Sequence, residues 1–124
     1  MNICVVGSGY VGLVTGAVFA DLGNDVVCVD NVAEKVEALT AGHIPIYEPG
    51  LEEMVARNTT DGRLSFTTDL TAAVRRSVIV FITVGTPSGK DGKADLGAVE
   101  EVAREIGQAM ERYTVIVNKS TMTV

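Results

Sequence analysis

Gly7-Ser8-Gly9-Tyr10-Val11-Gly12 constrains the fold of this chain more than any other stretch. Asn2 to Val6 before it is an apolar run of strand length, and after it Val11, Val14, Val18 and Leu22 recur at helical spacing. The glycines therefore sit at a strand-to-helix turn. There the first permits the tight turn, the second lets backbone approach a pyrophosphate, and the third lets helix and strand pack closely. Amides at the helix start and the helix dipole both favour the phosphate charge. With 13 glycines among 124 residues, glycine spacing alone is a weak signal. Its context gives it weight.

An acid stands where such a turn needs one. Gly23-Asn24 reads as a helix stop, Asp25 to Val29 as a second apolar strand, and Asp30 follows 18 residues after Gly12. A carboxylate about 20 residues on hydrogen-bonds the adenosine ribose hydroxyls of a dinucleotide. It would repel a 2′-phosphate, so NAD is expected over NADP. The competing reading is that Asp30 only starts the next helix.

The remainder alternates strand and helix. Asn31 offers an N-cap with Glu34 three residues on, and Val32, Val36 and Leu39 mark the inner stripe of a short helix. Lys35 lies in its first turn near Asp30, either as a solvated lysine or as a cofactor contact. Pro49 suits the first position of a helix carrying Leu51, Met54 and Val55, with Glu52 and Glu53 at its positive end. Thr59 to Gly62 reads as a turn and Leu64 to Thr67 as a strand. Thr68 or Asp69 can cap a helix over Leu70 to Arg76. Val78 to Val84 is a strand ending in a loop with Gly85, Thr86 and Pro87. Asp95 caps a last helix with Leu96, Val99, Ala103, Ile106 and Met110 on one face, and Tyr113 to Val117 is the last strand. The strands are continuous apolar runs, as parallel strands covered on both faces are.

The expected fold is α/β, a Rossmann-like doubly wound parallel sheet of strand order 3-2-1-4-5 with a possible additional edge strand. Residues 1–124 are expected to form one domain. In that order the loop after Val84 faces the glycine turn across the crevice where ligands of open parallel sheets bind. Thr86 is then placed to meet a dinucleotide, although composition alone would make it part of an ordinary glycine-rich loop.

Other classes are disfavoured. A net charge of −6 argues against a nucleic-acid partner. The start of the chain does not read as a signal peptide, and the longest later apolar stretch is too short to cross a bilayer. No membrane association is expected, and the location is expected to be cytoplasmic. Cys4 and Cys28 lie in core strands as small apolar residues, and no metal site is expected. His43, the single histidine, has no neighbours that would make it a base or a ligand.

Several further stretches carry a resemblance. They are Ile44 to Leu51 (Ile-Pro-Ile-Tyr-Glu-Pro-Gly-Leu), Phe66 to Asp69, Val84-Gly85-Thr86-Pro87, Ala94-Asp95-Leu96 and Asn118-Lys119-Ser120-Thr121. With the glycine loop and Val29-Asp30, they make the whole chain resemble the N-terminal NAD-binding domain of the UDP-glucose/GDP-mannose dehydrogenase family. Lys119-Ser120-Thr121 and the Ile44 to Leu51 stretch are most similar to its bacterial UDP-glucose 6-dehydrogenases; the GDP-mannose members tend to carry arginine before Ser-Thr.

The resemblance implies oxidation of a nucleotide sugar's C6 alcohol to a carboxylate with two NAD, UDP-glucose going to UDP-glucuronate for polysaccharide biosynthesis. It implies contacts to NAD from Gly7, Gly9, Tyr10, Val11, Gly12, Asp30, Lys35, Thr86 and Thr121. It gives Thr121 a catalytic part as well, near the reacting carbon, where it helps hold a water. A homo-oligomeric full-length enzyme is implied too. The family's cysteine nucleophile, catalytic lysine and sugar-binding residues come from later parts of the chain that are not in this sequence. Met122-Thr123-Val124 also departs from the family's proline-containing continuation. The chain alone is thus expected to bind NAD without turnover. The alternatives are another nucleotide-sugar 6-dehydrogenase, acting on GDP-mannose or a UDP-N-acetyl sugar, and a stand-alone NAD-sensing module. FAD or S-adenosylmethionine binding by a related glycine loop leaves the Val84 to Pro87 and Lys119 to Thr121 stretches unexplained.

Overall fold

The computed structural model describes residues 1–85 and 97–119. Five parallel strands form one sheet in the order β3-β2-β1-β4-β5. The strands are β1 (Asn2–Val6), β2 (Asp25–Val29), β3 (Leu64–Thr67), β4 (Ile79–Ile82) and β5 (Val115–Asn118). The helices are α1 (Tyr10–Asp21), α2 (Ala33–Thr40), α3 (Leu51–Thr60), α4 (Leu70–Arg75) and α5 (Gly97–Ala109). β1 at the centre pairs Val6 with both Val29 and Ile82, so three carboxyl ends finish level. The described residues hold no sixth strand.

Each face of the sheet has its own core. On one, Ile3, Val5 and Cys28 meet Leu13 and Ala17 of α1 and Leu51 and Val55 of α3. On the other, Cys4, Val6 and Val27 meet Val74 of α4 and Val99 and Ile106 of α5. This two-sided burial is why the strands read as unbroken apolar runs. Cys4 and Cys28 belong to opposite cores, and burial pushes each thiol up to about 12.

Several local expectations give way to packing. The stripe of Val11, Val14, Val18 and Leu22 does not face the sheet: Val11, Val18 and Leu22 are exposed and Val14 is partly buried. α1 buries Gly12, Leu13, Gly16, Ala17 and Ala20 instead. A helix apolar on all sides gives no single face by periodicity, and its small residues decide. A Cβ on Gly16 would stand 2.7 Å from Cys28 Sγ, so this side approaches the sheet too closely for bulk. On α5 Ala103 is exposed and Val102 packs inward in its place.

Helix starts shift as well. α3 begins at Leu51 after a left-handed Gly50, so Pro49 precedes the helix and does not occupy its first position. Thr59 and Thr60 belong to α3, and the turn is shortened to Asp61-Gly62. α2 is preceded by Val32 without a side-chain cap, so Asn31 does not cap it, and Val32 is exposed. Asp69, by contrast, caps α4 by accepting from the Ala72 amide at 3.1 Å. The expected Asp95 cap lies outside the described residues. Among the described residues, no helix is long and apolar enough to cross a membrane.

Candidate dinucleotide site

At the carboxyl edge the chain turns from β1 into α1 through the glycine loop. Gly7 has φ +105°, a conformation L side chains rarely adopt, and its amide donates to Val29 O at 2.7 Å. Gly12 lies one helical turn on, where an added Cβ would collide with Gly7 O and stand 2.6 Å from Thr83 Oγ1. These two glycines are required by the protein's own packing. Gly9 differs, because a Cβ there would meet nothing within 4 Å. Space is left open beside it, at the N-terminus of α1.

That N-terminus is available for an anion. Gly9 is its N-cap and supplies no side-chain hydrogen bond, and the first turn carries no acid. The leading amides of a helix have no acceptor within it, and the dipole puts partial positive charge there. Oxygens of a pyrophosphate fit such a place.

Asp30 lies beside this loop, only 9% exposed. Its Oδ2 accepts from the Ser8 amide at 3.1 Å and the Ser8 hydroxyl at 2.6 Å, and its Oδ1 accepts from the Val32 amide at 3.0 Å. Lys35 Nζ stands 3.6 Å from Oδ2. Burial alone would raise the carboxyl's pKa. The hydrogen bonds from Ser8 and Val32, with the Lys35 charge, outweigh it and hold Asp30 below its ordinary value. Asp30 is therefore an anion at neutral pH. Its bond to Val32 also makes it part of the entry to α2, so the helix-start reading and the acceptor reading both describe it.

A crevice of ≈ 290 Å³ opens here, lined among others by Gly7, Asp30, Leu70, Val84, Val102 and Glu101. A larger cavity of ≈ 400 Å³ lies between α2 and the 42–45 segment, lined by Lys35, Leu39, His43 and Ile44 among others. The smaller one is the better dinucleotide candidate. It is lined by Gly7 of the glycine turn and by the acid, and lies beyond the ends of β1 and β2, where open parallel sheets bind ligands. His43 is exposed in its loop, and its amide donates to Ala38 O.

Gly7, Gly9, Tyr10, Val11, Gly12, Asp30 and Lys35 thus gather at one edge of the sheet. The Tyr10 hydroxyl donates to Glu48 Oε2 at 3.0 Å, which joins the start of α1 to the Ile44 to Leu51 stretch; that bond and the Glu48 charge raise the phenol's pKa. Thr86 and Thr121 lie outside the described residues. Among the described residues, no group of three or more His, Cys, Asp or Glu could hold a metal ion.

Two residues of this edge carry no signal in the sequence. Thr83, 9% exposed, donates its hydroxyl to Val6 O at 2.8 Å and Gly7 O at 3.1 Å, clamping the end of β4 to the glycine turn. Its partners are more than 70 positions away, beyond the reach of any local pattern. Ser8 occupies a position that the glycine fingerprint leaves free.

The UDP-glucose/GDP-mannose dehydrogenase family, NAD binding domain, matches residues 1–124. The chain belongs to this family. It is 55% identical to a UDP-glucose 6-dehydrogenase of Rhizobium meliloti over 125 residues, covering 100% of this chain and 29% of that protein. It is 52% identical to the UDP-glucose 6-dehydrogenase TuaD of Bacillus subtilis, covering 99% of this chain and 27% of the relative. A crystal structure of a ternary complex of GDP-mannose dehydrogenase from Pseudomonas aeruginosa superimposes with a TM-score of 0.94 at 42% identity. It covers 98% of this chain and 29% of that one. The chain thus spans under a third of the length of these family members. The cofactor of the family's domain is NAD.

Proposed function

We propose that this chain is the cofactor-binding domain of an NAD-dependent UDP-glucose 6-dehydrogenase, occupying residues 1–124. The observation that carries the reading is the carboxyl-edge constellation. An uncapped helix start with open space at Gly9 lies beside a buried, ionised Asp30. One feature suits a pyrophosphate and the other a ribose. UDP-glucose is favoured over GDP-mannose because the relatives at 55% and 52% identity carry that name.

In this reading the glycine loop Gly7, Gly9, Gly12 and the amides of Tyr10 and Val11 hold the pyrophosphate. Asp30 accepts from the adenosine ribose and excludes a 2′-phosphate, and Lys35 attends the same ribose. Thr86 and Thr121 are proposed as further cofactor contacts, Thr121 with a catalytic part as well. Bound NAD supplies the acceptor for hydride from the sugar's C6, two NAD serving the two oxidations from alcohol to carboxylate. The residues of this chain bind and orient. The whole enzyme would act in the cytoplasm as a homo-oligomer, supplying UDP-glucuronate for polysaccharide biosynthesis, with neither nucleic acid nor membrane as partner.

Calorimetric titration tests the reading. The chain is expected to bind NAD in preference to NADP. Asp30→Ala removes a charge-assisted hydrogen bond worth roughly 1.5–3 kcal/mol, so NAD binding weakens by at least about tenfold. Unchanged affinity in that variant would reduce Asp30 to a helix-start residue, and tight FAD binding without NAD binding would refute the cofactor. Steady NAD reduction with UDP-glucose by this chain alone would overturn its assignment as the binding part only.

A further inference from the structure

Ser8 is 2% exposed and stands inside the loop that faces the phosphates, yet both of its donors turn away to Asp30. An ionised carboxylate offers about four lone-pair sites, two on each oxygen. The Ser8 amide and hydroxyl both bond Oδ2, and the Val32 amide bonds Oδ1. The hydroxyl bond is the shortest of the three at 2.6 Å, and the carboxylate it holds is nearly buried. Lys35 approaches the same Oδ2 and so reinforces the orientation.

We propose that Ser8 is a positioning residue of the cofactor site, fixing the Asp30 carboxylate through Oδ2 in the orientation that meets the adenosine ribose. The inference rests on the reading of Asp30 as the ribose acceptor. Ser8 is also part of the phosphate loop, flanked by Gly7 and Gly9, so the ribose acceptor and the pyrophosphate cradle are tied together by two hydrogen bonds. The distance between ribose and pyrophosphate is set covalently in the ligand. A site with both halves already in register loses less ordering entropy on binding.

The test is a double-mutant cycle of Ser8→Ala and Asp30→Ala, with urea unfolding run on each variant. Ser8→Ala is expected to weaken NAD about five- to tenfold and to narrow the preference over NADP, but to have less than about a twofold effect when Asp30 is already alanine. An equal effect in both backgrounds, no effect, or a parallel loss for NAD and NADP that follows stability would overturn the positioning role and leave the ribose reading standing. Undiminished NAD binding by Asp30→Ala would remove both.

Discussion

At the scale of single residues, glycines of one motif do different jobs. Gly12 has a backbone carbonyl where its Cβ would be, so Gly12→Ala must push α1 away from the glycine turn. Overpacking of this kind costs about 1–3 kcal/mol, and urea unfolding should show it. Gly9 has empty space there and φ −74°, which any residue adopts. Gly9→Ala should leave stability within about 0.5 kcal/mol while NAD affinity falls, because the space it fills is the one proposed for the pyrophosphate. Equal losses of stability for both variants would refute the distinction. Asp30 predicts a pH dependence. Its folded pKa lies below the unfolded value, so the stability it contributes is present above about pH 4 and is lost as pH falls through the folded pKa. Urea midpoints measured stepwise downward from pH 6 should drop less steeply for Asp30→Asn.

At the scale of elements, the edge opposite the crevice is held by a polar knot. Asn58 of α3 is fully buried. Its amide donates to Asp21 Oδ1 at 3.1 Å and Met54 O at 2.8 Å, and its Oδ1 accepts from Arg63 Nε at 3.2 Å and Nη2 at 2.9 Å. The end of α1, α3 and the start of β3 are joined through this one side chain. Asn58→Leu would leave Asp21 and Arg63 without it, costing about 2–4 kcal/mol in urea unfolding while NAD affinity per folded molecule stays unchanged. A coupled loss of affinity would mean that the two edges communicate. Asn58 lies between Val55, on the expected helix, and the turn expected from Thr59, and nothing there makes its role legible. Its partners lie both near and 37 positions away, and only packing assembles them.

At the scale of the whole molecule, ligand binding and stability should be linked. A ligand that binds only the folded state at 100 times its Kd adds about 2.7 kcal/mol. For a chain of this size that is a rise in Tm of roughly 10 °C, measurable by differential scanning fluorimetry with NAD. NADP at the same concentration should give a smaller rise, and Asp30→Ala with NAD a smaller one still than the unmodified chain. No rise with NAD would contradict a cofactor site formed by the described edge.

The sequence by itself determined the strands and their order. β1, β2 and β3 have the limits expected, because short unbroken apolar runs between turn residues have few other ways to be buried. It also determined the glycine turn and the acid after β2, since both are local requirements of backbone geometry and spacing. Only the tertiary structure decided which side of α1 faces the sheet, because a helix apolar all round is settled by steric fit at Gly16 and not by periodicity. It alone clamped Thr83 to Gly7 and Ser8 to Asp30, hydrogen bonds between residues 76 and 22 positions apart. The glycine loop could be found by reading along the chain, whereas the orientation of the carboxylate beside it depends on a serine whose position the fingerprint leaves open.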